Sequence, residues 1–202
     1  NQLQARTISV GENFRFGYQR CGDINTIKNS IKNKNIKLNI VPLLEDQEGR
    51  ISSSRVRNLL LQSDLVKAKD LLKRPYSFSG KVVKGKGIGK KIGFPTANLQ
   101  IDGRKFLPGE GVYAAWTKEI NSGIKFPSVM NLGPQPTINP LSPSAVEVHI
   151  IDKNINLYDL ELFVEPIQMI RTQIKFSNME ELSNQISKDK ELAKTILQEI
   201  NN

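Results

Sequence analysis

Histidine, cysteine and tryptophan each occur once in this chain of 202 residues. The lone Cys21 excludes an internal disulfide and suits a reducing compartment, so the expected location is the cytoplasm. No apolar run approaches the ~18 residues that a membrane span requires. Aromatic residues are 6% of the chain. With Trp116 and few tyrosines there is no interleaving of aromatic and basic residues of the kind that stacks on bases, which argues against a nucleic-acid-binding barrel. Neither a G-x-x-x-x-G-K-[ST] loop nor a G-x-G-x-x-G turn can be found. Internal repeats and low-complexity blocks are also missing. Acidic residues are the minority: 20 against 29 Lys and Arg, a net charge of +9. Such a balance favours anionic partners. The excess is spread along the chain, so neither nucleic acid nor a membrane surface is expected as a partner. The chain begins at Asn1 in mid-pattern and reads as part of a longer protein.

What is present divides into two textures. Residues 1–74 read as α/β. ARTISV and IKLNIVPL have strand character, and INTIKNSIKN between them carries Ile24, Ile27 and Ile31 at helical spacing. SSSRVRNLLLQ opens on serines that can cap a helix, with Val56, Leu59 and Leu60 on one face. SDLVKAKDLLKR follows, capped by Ser63 or Asp64 and stopped by Pro75. From residue 75 to 202 the texture is mainly β. YSFSGKVVKG, GVYAAWTKEI, KFPSVMNLG, SAVEVHIID and LELFVEPIQMI are of strand length, separated by Gly, Pro and Asn. That spacing predicts a small barrel or sandwich. A final helix is expected from Asn178 to Ile200, with Leu182, Ile186, Leu192 or Ala193, Ile196 and Ile200 as its apolar stripe. The domain boundary is placed near Arg74–Pro75.

The segment GKGIGKKIGFPTAN, from Gly85 to Asn98, is the least ordinary stretch. Its glycines let backbone N–H groups approach a phosphate, and Lys84, Lys86, Lys90 and Lys91 could add charge. From these residues alone, a flexible basic turn at a sheet edge is the more expected reading. Pro95 fixes its own φ and pushes Phe94 to an extended shape. Thr96 and Asn98 are two apart, so an extended segment turns both to one face. Two neutral oxygens there could serve Mg²⁺, which takes few protein ligands, or form a local side-chain turn. In AVEVHIID, Val146, Val148 and Ile150 share one face of a strand, and Glu147, His149 and Ile151 share the other.

In this order, GKKIGFPTANL, LPGEGVYAAW, MNLGPQPTI, VEVHIIDKNINLYDLEL and IRTQIKFSNMEELSNQISKD resemble the riboflavin kinases, over Tyr76 to about Ala193. VGENFRFG, CGD and GRISSSRVR resemble the second half of the bacterial FMN adenylyltransferase domain. Together they are similar to the bifunctional riboflavin kinase/FAD synthetases of bacteria. The resemblance implies a partial Rossmann-like nucleotidyltransferase segment (1–74), then a six-stranded Greek-key barrel with a C-terminal helix (75–202). It implies ATP-dependent phosphorylation of riboflavin to FMN. Glu147 would be the catalytic base, and Gly85, Lys86, Gly87, Gly89, Lys90, Gly93, Thr96 and Asn98 would bind nucleotide. Thr96 and Asn98 would also bind Mg²⁺, and Arg171, Phe176 and Leu182 would face the flavin. Ser52, Ser53, Ser54 and Arg55 would be what remains of the adenylyltransferase site, which in the longer enzyme makes FAD. That class uses an H-x-G-H-type motif, whereas the only histidine here is His149. FAD formation is therefore not expected from this chain, and His149 is expected to be structural. Two departures stand out: Tyr158–Asp159 where Tyr-Gly is usual, and GPQPT where GxRPT is common. Asp159 is expected to alter a tight turn. A non-catalytic FMN-binding barrel is the alternative, countered by the joint presence of Thr96, Asn98 and Glu147.

Overall fold

The computed structural model describes residues 5–85, 87–133 and 146–200. Lys86 and most of GPQPT lie outside these residues. The chain forms two compact units, Asn1–Ser52 and Ser53–Asn202.

In the first unit, β1 (Thr7–Gly11) and β2 (Lys37–Val41) pair in parallel, with Ser9 opposite Asn39, and α1 (Ile24–Ile31) lies between them in sequence. This is the α/β pattern expected of the segment. Asp23 starts α1 by accepting from the Thr26 N–H at 2.9 Å, and Thr26 Oγ1 accepts from the Asp23 N–H. These bonds satisfy N–H groups that a helix start leaves open. They also hold the Asp23 carboxyl below its usual range. A short hairpin, β3 (Glu45–Asp46) with β4 (Gly49–Arg50), precedes Ser52.

The second unit opens on α2 (Ser53–Leu61) and α3 (Leu65–Leu72). Asp64 caps α3 through the Lys67 N–H, and Lys73 ends it in the left-handed region, at φ 56°. Six strands then close a barrel: β5 (Phe78–Val83), β6 (Ala97–Gln100), β7 (Gly111–Glu119), β8 (Lys125–Leu132), β9 (Val146–Ile150) and β10 (Glu161–Arg171). Their order around the barrel is β10-β5-β6-β9-β8-β7, all neighbours antiparallel. The meander β7–β8–β9 with β10 returning beside β7 is a Greek key. The expected six-stranded barrel is therefore observed. Alternation explains its strands. Val146 and Val148 are buried with Leu99, Met130 and Leu162 in the interior, while Glu147 faces outward. β6 is only four residues long, and strand alternation had not marked it.

α5 (Met179–Glu199) runs along the outside of the barrel and is capped by Asn178, whose side chain accepts from the Glu181 N–H at 2.8 Å. Ala193, Ile196 and Leu197 pack on Val112, Ala114, Val129 and Ile151. Of the expected alternatives at one step of the stripe Ala193 is the buried one, and the stripe needs correction at two positions. Ile200 is half exposed, and Asp189 is buried among the apolar residues. The helix drifts as it wraps the barrel, which carries Leu197 rather than Ile200 into the interface.

The compact unit holding the barrel starts at Ser53, about twenty residues before the expected boundary. Pro75 marks where helix gives way to strand, not where packing changes. Val56, Leu60, Leu65 and Ala68 belong to the same buried cluster as the barrel interior. Between α2 and α3, Ser63 Oγ lies 2.7 Å from the Tyr113 hydroxyl, which donates to the Gly109 carbonyl. Burial holds the Tyr113 hydroxyl above its ordinary range, so it stays a donor. Gly109 donates to Leu60 O at 2.9 Å, and a Cβ there would lie 2.6 Å from Leu61 O, so this crossing requires glycine.

Asp159 explains its own departure from the usual glycine. Its φ is 68°, the left-handed region that glycine enters freely and aspartate tolerates. Its carboxylate meets Lys81 Nζ at 2.7 Å and holds that ammonium above its ordinary range. Within the turn the Asp159 N–H donates to Val82 O at 3.2 Å.

Candidate active site

Strand register creates the site. β6 pairs with β9 so that Asn98 lies directly opposite Glu147, and β9 pairs with β8 so that Asn131 lies opposite Glu147 from the other side. Directly opposed residues share a face. Thr96 precedes β6 by one residue, and its hydroxyl donates to Glu147 Oε2 at 3.3 Å. Thr96 and Asn98 are half-buried and alternate with the buried Ala97 and Leu99, as the extended reading of the tetrad requires.

Two cavities meet at Thr96. The first, of about 620 Å³, is walled by Lys84, Gly85, Gly87, Lys90, Pro95 to Asn98, and the segment from Lys153 to Tyr158. The second, of about 290 Å³, is walled by Gly89, Phe94, Thr96, Asn131, Glu147, His149, Arg171, Gln173, Phe176, Leu182 and Asp189, among others. The first sets Lys84, Lys90 and Lys153 at a wall that also includes Val82, Val148, Ile150 and Leu157; the second mixes apolar side chains with one buried ion pair. Gly93 is in neither wall; it lines a third cleft, of about 310 Å³, together with Phe94, His149, Asp152 and Lys190.

The glycine–lysine segment is not a plain loop. Ile88–Lys91 form one helical turn, α4, closed by Phe94 N–H donating to Gly89 O at 2.8 Å. Gly85 lies against Asn98: a Cβ there would fall 2.0 Å from Asn98 Nδ2. Gly85→Ala must therefore displace the Asn98 side chain from its present position. It is expected to lower turnover at least tenfold while changing the melting temperature by only a few degrees. Asn98→Ala is expected to match it in steady-state assays of the phosphotransfer that the sequence resemblance implies, with KM for Mg·ATP moved more than flavin affinity. Wild-type kinetics in both variants would make the tetrad a structural turn.

His149 has a partner that settles its tautomer. Nδ1 lies 2.9 Å from the Pro95 carbonyl, which can only accept, so Nδ1 carries the proton. The ring also meets Phe94 edge-on, with centroids 5.6 Å apart. It thus braces the chain just before Thr96, in keeping with a structural histidine.

The donor set suits a lightly held Mg²⁺. Thr96 and Asn98 offer two neutral oxygens on one wall, beside the Glu147 carboxylate. Among the described residues no group of three His, Cys, Asp or Glu forms a ready-made cage. Mg²⁺ usually completes its shell with water and substrate phosphate.

Of the other expected residues, Arg171, Phe176 and Leu182 all line the second cavity. Ser53, Ser54 and Arg55 form the first turn of α2, and Ser52 precedes it. Sequence reasoning missed Asn131, Gln173 and Asp189. Gln173 Nε2 donates to Asn131 Oδ1 at 2.8 Å and to Leu132 O at 2.9 Å. Only strand register reveals Asn131. Asp189 carried a signal: it falls in helical step with Leu182, Ile186, Ala193 and Ile196, on the apolar face. Asp152 joins the two sides of the site. It is bound by Lys194 at 2.7 Å and Lys190 at 3.3 Å, tying the segment that walls the first cavity to α5. No described helix is long and apolar enough to cross a membrane.

A family profile described as riboflavin kinase matches residues 72–197, and one described as FAD synthetase matches residues 1–55. The bifunctional riboflavin kinase/FMN adenylyltransferase of Haemophilus influenzae is 37% identical over 200 residues, covering 96% of this chain and 62% of that protein. The protein of the same name from Bacillus subtilis is 35% identical, covering 95% of this chain and 60% of its own. The chain thus spans about six-tenths of the length of these curated relatives. A crystal structure described as a macrolide-efflux protein from Streptococcus pneumoniae superposes with a TM-score of 0.78 at 30% identity, covering 95% of this chain and 61% of that one. The barrel, its PTAN tetrad and the profile match over most of the chain lead to one assignment: this chain belongs to the riboflavin kinase family.

Proposed function

We propose that this chain transfers the γ-phosphate of ATP to the 5′-hydroxyl of riboflavin, giving FMN and ADP. The observation that carries the reading is the meeting of two unlike cavities at Thr96, beside Glu147. The first cavity takes the nucleotide. Its backbone N–H groups and the ammonium groups of Lys84 and Lys90 attract phosphates. The second takes the flavin, with Phe176 and Leu182 against the ring. The ribityl chain then points its terminal hydroxyl toward Glu147. The Glu147 carboxylate accepts that hydroxyl's proton as the oxygen attacks phosphorus. Thr96, donating to the same carboxylate, orients it. Mg²⁺, held by Thr96 and Asn98 together with the phosphates, would screen charge on the phosphoryl group. Positioning and charge screening supply most of the acceleration in reactions of this kind.

The FAD synthetase match over residues 1–55 is read as part of an adenylyltransferase domain that converts FMN to FAD in the longer enzymes. Histidines stabilise the triphosphate in that class, and none occurs before His149. Charge-stabilising groups of this type contribute roughly 10²–10³-fold each. Purified chain incubated with riboflavin, ATP and Mg²⁺, then resolved by chromatography, is expected to yield FMN without FAD, and FMN offered in place of riboflavin is expected to persist. Tightly held flavin with no ATP-dependent product would favour the binding-barrel alternative. FAD appearing as fast as FMN would show that adenylylation does not require the histidine motif.

A further inference from the structure

The second cavity contains a charged pair whose presence its walls do not require. Asp189 is 2% exposed and sits on the face of α5 that otherwise buries alanine, isoleucine and leucine. Its carboxylate accepts from Arg171 Nε at 3.0 Å and from an Arg171 terminal nitrogen at 2.8 Å. Gln185 Nε2 adds a third donor at 2.8 Å. The other terminal nitrogen of Arg171 donates to Thr172 O at 3.0 Å, and the guanidinium lies 5.8 Å from the Phe176 ring centroid. Taking two charges out of water costs as much as their attraction returns, and apolar residues of similar volume commonly hold a fold equally well. A bidentate carboxylate does something that apolar packing cannot. It fixes the plane of the guanidinium, while the fork keeps a further N–H on each terminal nitrogen.

We infer that Asp189 is a positioning residue for flavin recognition: it locks Arg171 so that the guanidinium meets a planar heteroaromatic ring with hydrogen-bond acceptors on its edge. Gln185 satisfies a remaining carboxylate oxygen and so holds Asp189 in turn. The inference rests on the reading that the second cavity takes riboflavin. Arg171 provides the contact; Asp189 acts through it and stays out of reach of the reacting hydroxyl.

Asp189→Asn keeps the shape and removes the charge. Riboflavin KM is expected to rise tenfold or more, with kcat within about threefold and KM for Mg·ATP within about twofold. Arg171→Lys, which keeps the charge without the fork, is expected to do the same. A second variant separates recognition from stability: Arg171→Met with Asp189→Leu is expected to melt within a few degrees of wild type yet lose at least tenfold in riboflavin affinity, measured by fluorescence quenching without ATP. A purely structural pair would lower the melting temperature in Asp189→Asn and leave riboflavin KM unchanged, which overturns the inference. Should Asp189→Asn not fold, retained riboflavin affinity in the double variant overturns it equally. Failure of the wild-type chain to quench riboflavin overturns the cavity assignment itself; quenching by wild type and double variant alike leaves that assignment standing and overturns the Arg171 contact together with the role of Asp189.

Discussion

Glu147→Gln is expected to lower turnover by about 10²–10⁴-fold, the usual loss when a positioned general base is removed. The amide is nearly the same size as the carboxylate, and it can still accept from the Thr96 hydroxyl that now lies 3.3 Å from Oε2. The neighbours across the strands, Asn98 and Asn131, are neutral, so the substitution creates no new repulsion. Folding and riboflavin affinity should therefore persist. Single-turnover quench flow, with riboflavin binding followed separately by fluorescence, separates the chemical step from binding. Turnover near that of wild type would take the base role away from Glu147. Loss of riboflavin binding equal to the loss of rate would make it a binding residue instead.

Leu60→Ala is the second large effect, and it concerns where the kinase unit begins. Leu60 lies on α2, outside the barrel by sequence, but it is 1% exposed and clusters with the barrel interior. Leucine-to-alanine changes in cores cost about 2–5 kcal/mol. In a unit of this size that lowers the melting temperature by roughly 5–15 °C. Trp116, the only tryptophan, sits on β7 and reports on the barrel. Its fluorescence should show the whole shift. If α2 belonged with residues 1–52, the Trp116 transition would stay where it is in the wild type.

How much of this was readable beforehand varies by element, and the reasons are physical. Val-Glu-Val-His-Ile declares β9 by alternation, and Asn178 declares the start of α5 because its side chain has one obvious use there. The tetrad could be read as extended because Pro95 restricts Phe94. α4 could not be foreseen, since glycines at 87, 89 and 93 argue against helix and the turn is closed by Phe94 rather than by propensity. Val56, Leu59 and Leu60 announced that α2 buries one face, but apolar spacing never names the partner. Asn131 was hidden for a related reason: pairing register is a property of two strands, and neither strand encodes it alone. Asp189 was visible as a charge in an apolar stripe and was passed over because a stripe is expected to be apolar.

Thr96 belongs to the walls of both cavities, and that single shared residue has a kinetic consequence. Under the proposed assignment, with the nucleotide on one side of it and the flavin on the other, donor and acceptor are present together, so the phosphoryl group has no distance to be ferried. Nothing on the protein needs to carry it covalently in between. The proposed reaction is then expected to pass through a ternary complex by one direct displacement, so that a chiral γ-phosphate emerges with its configuration inverted.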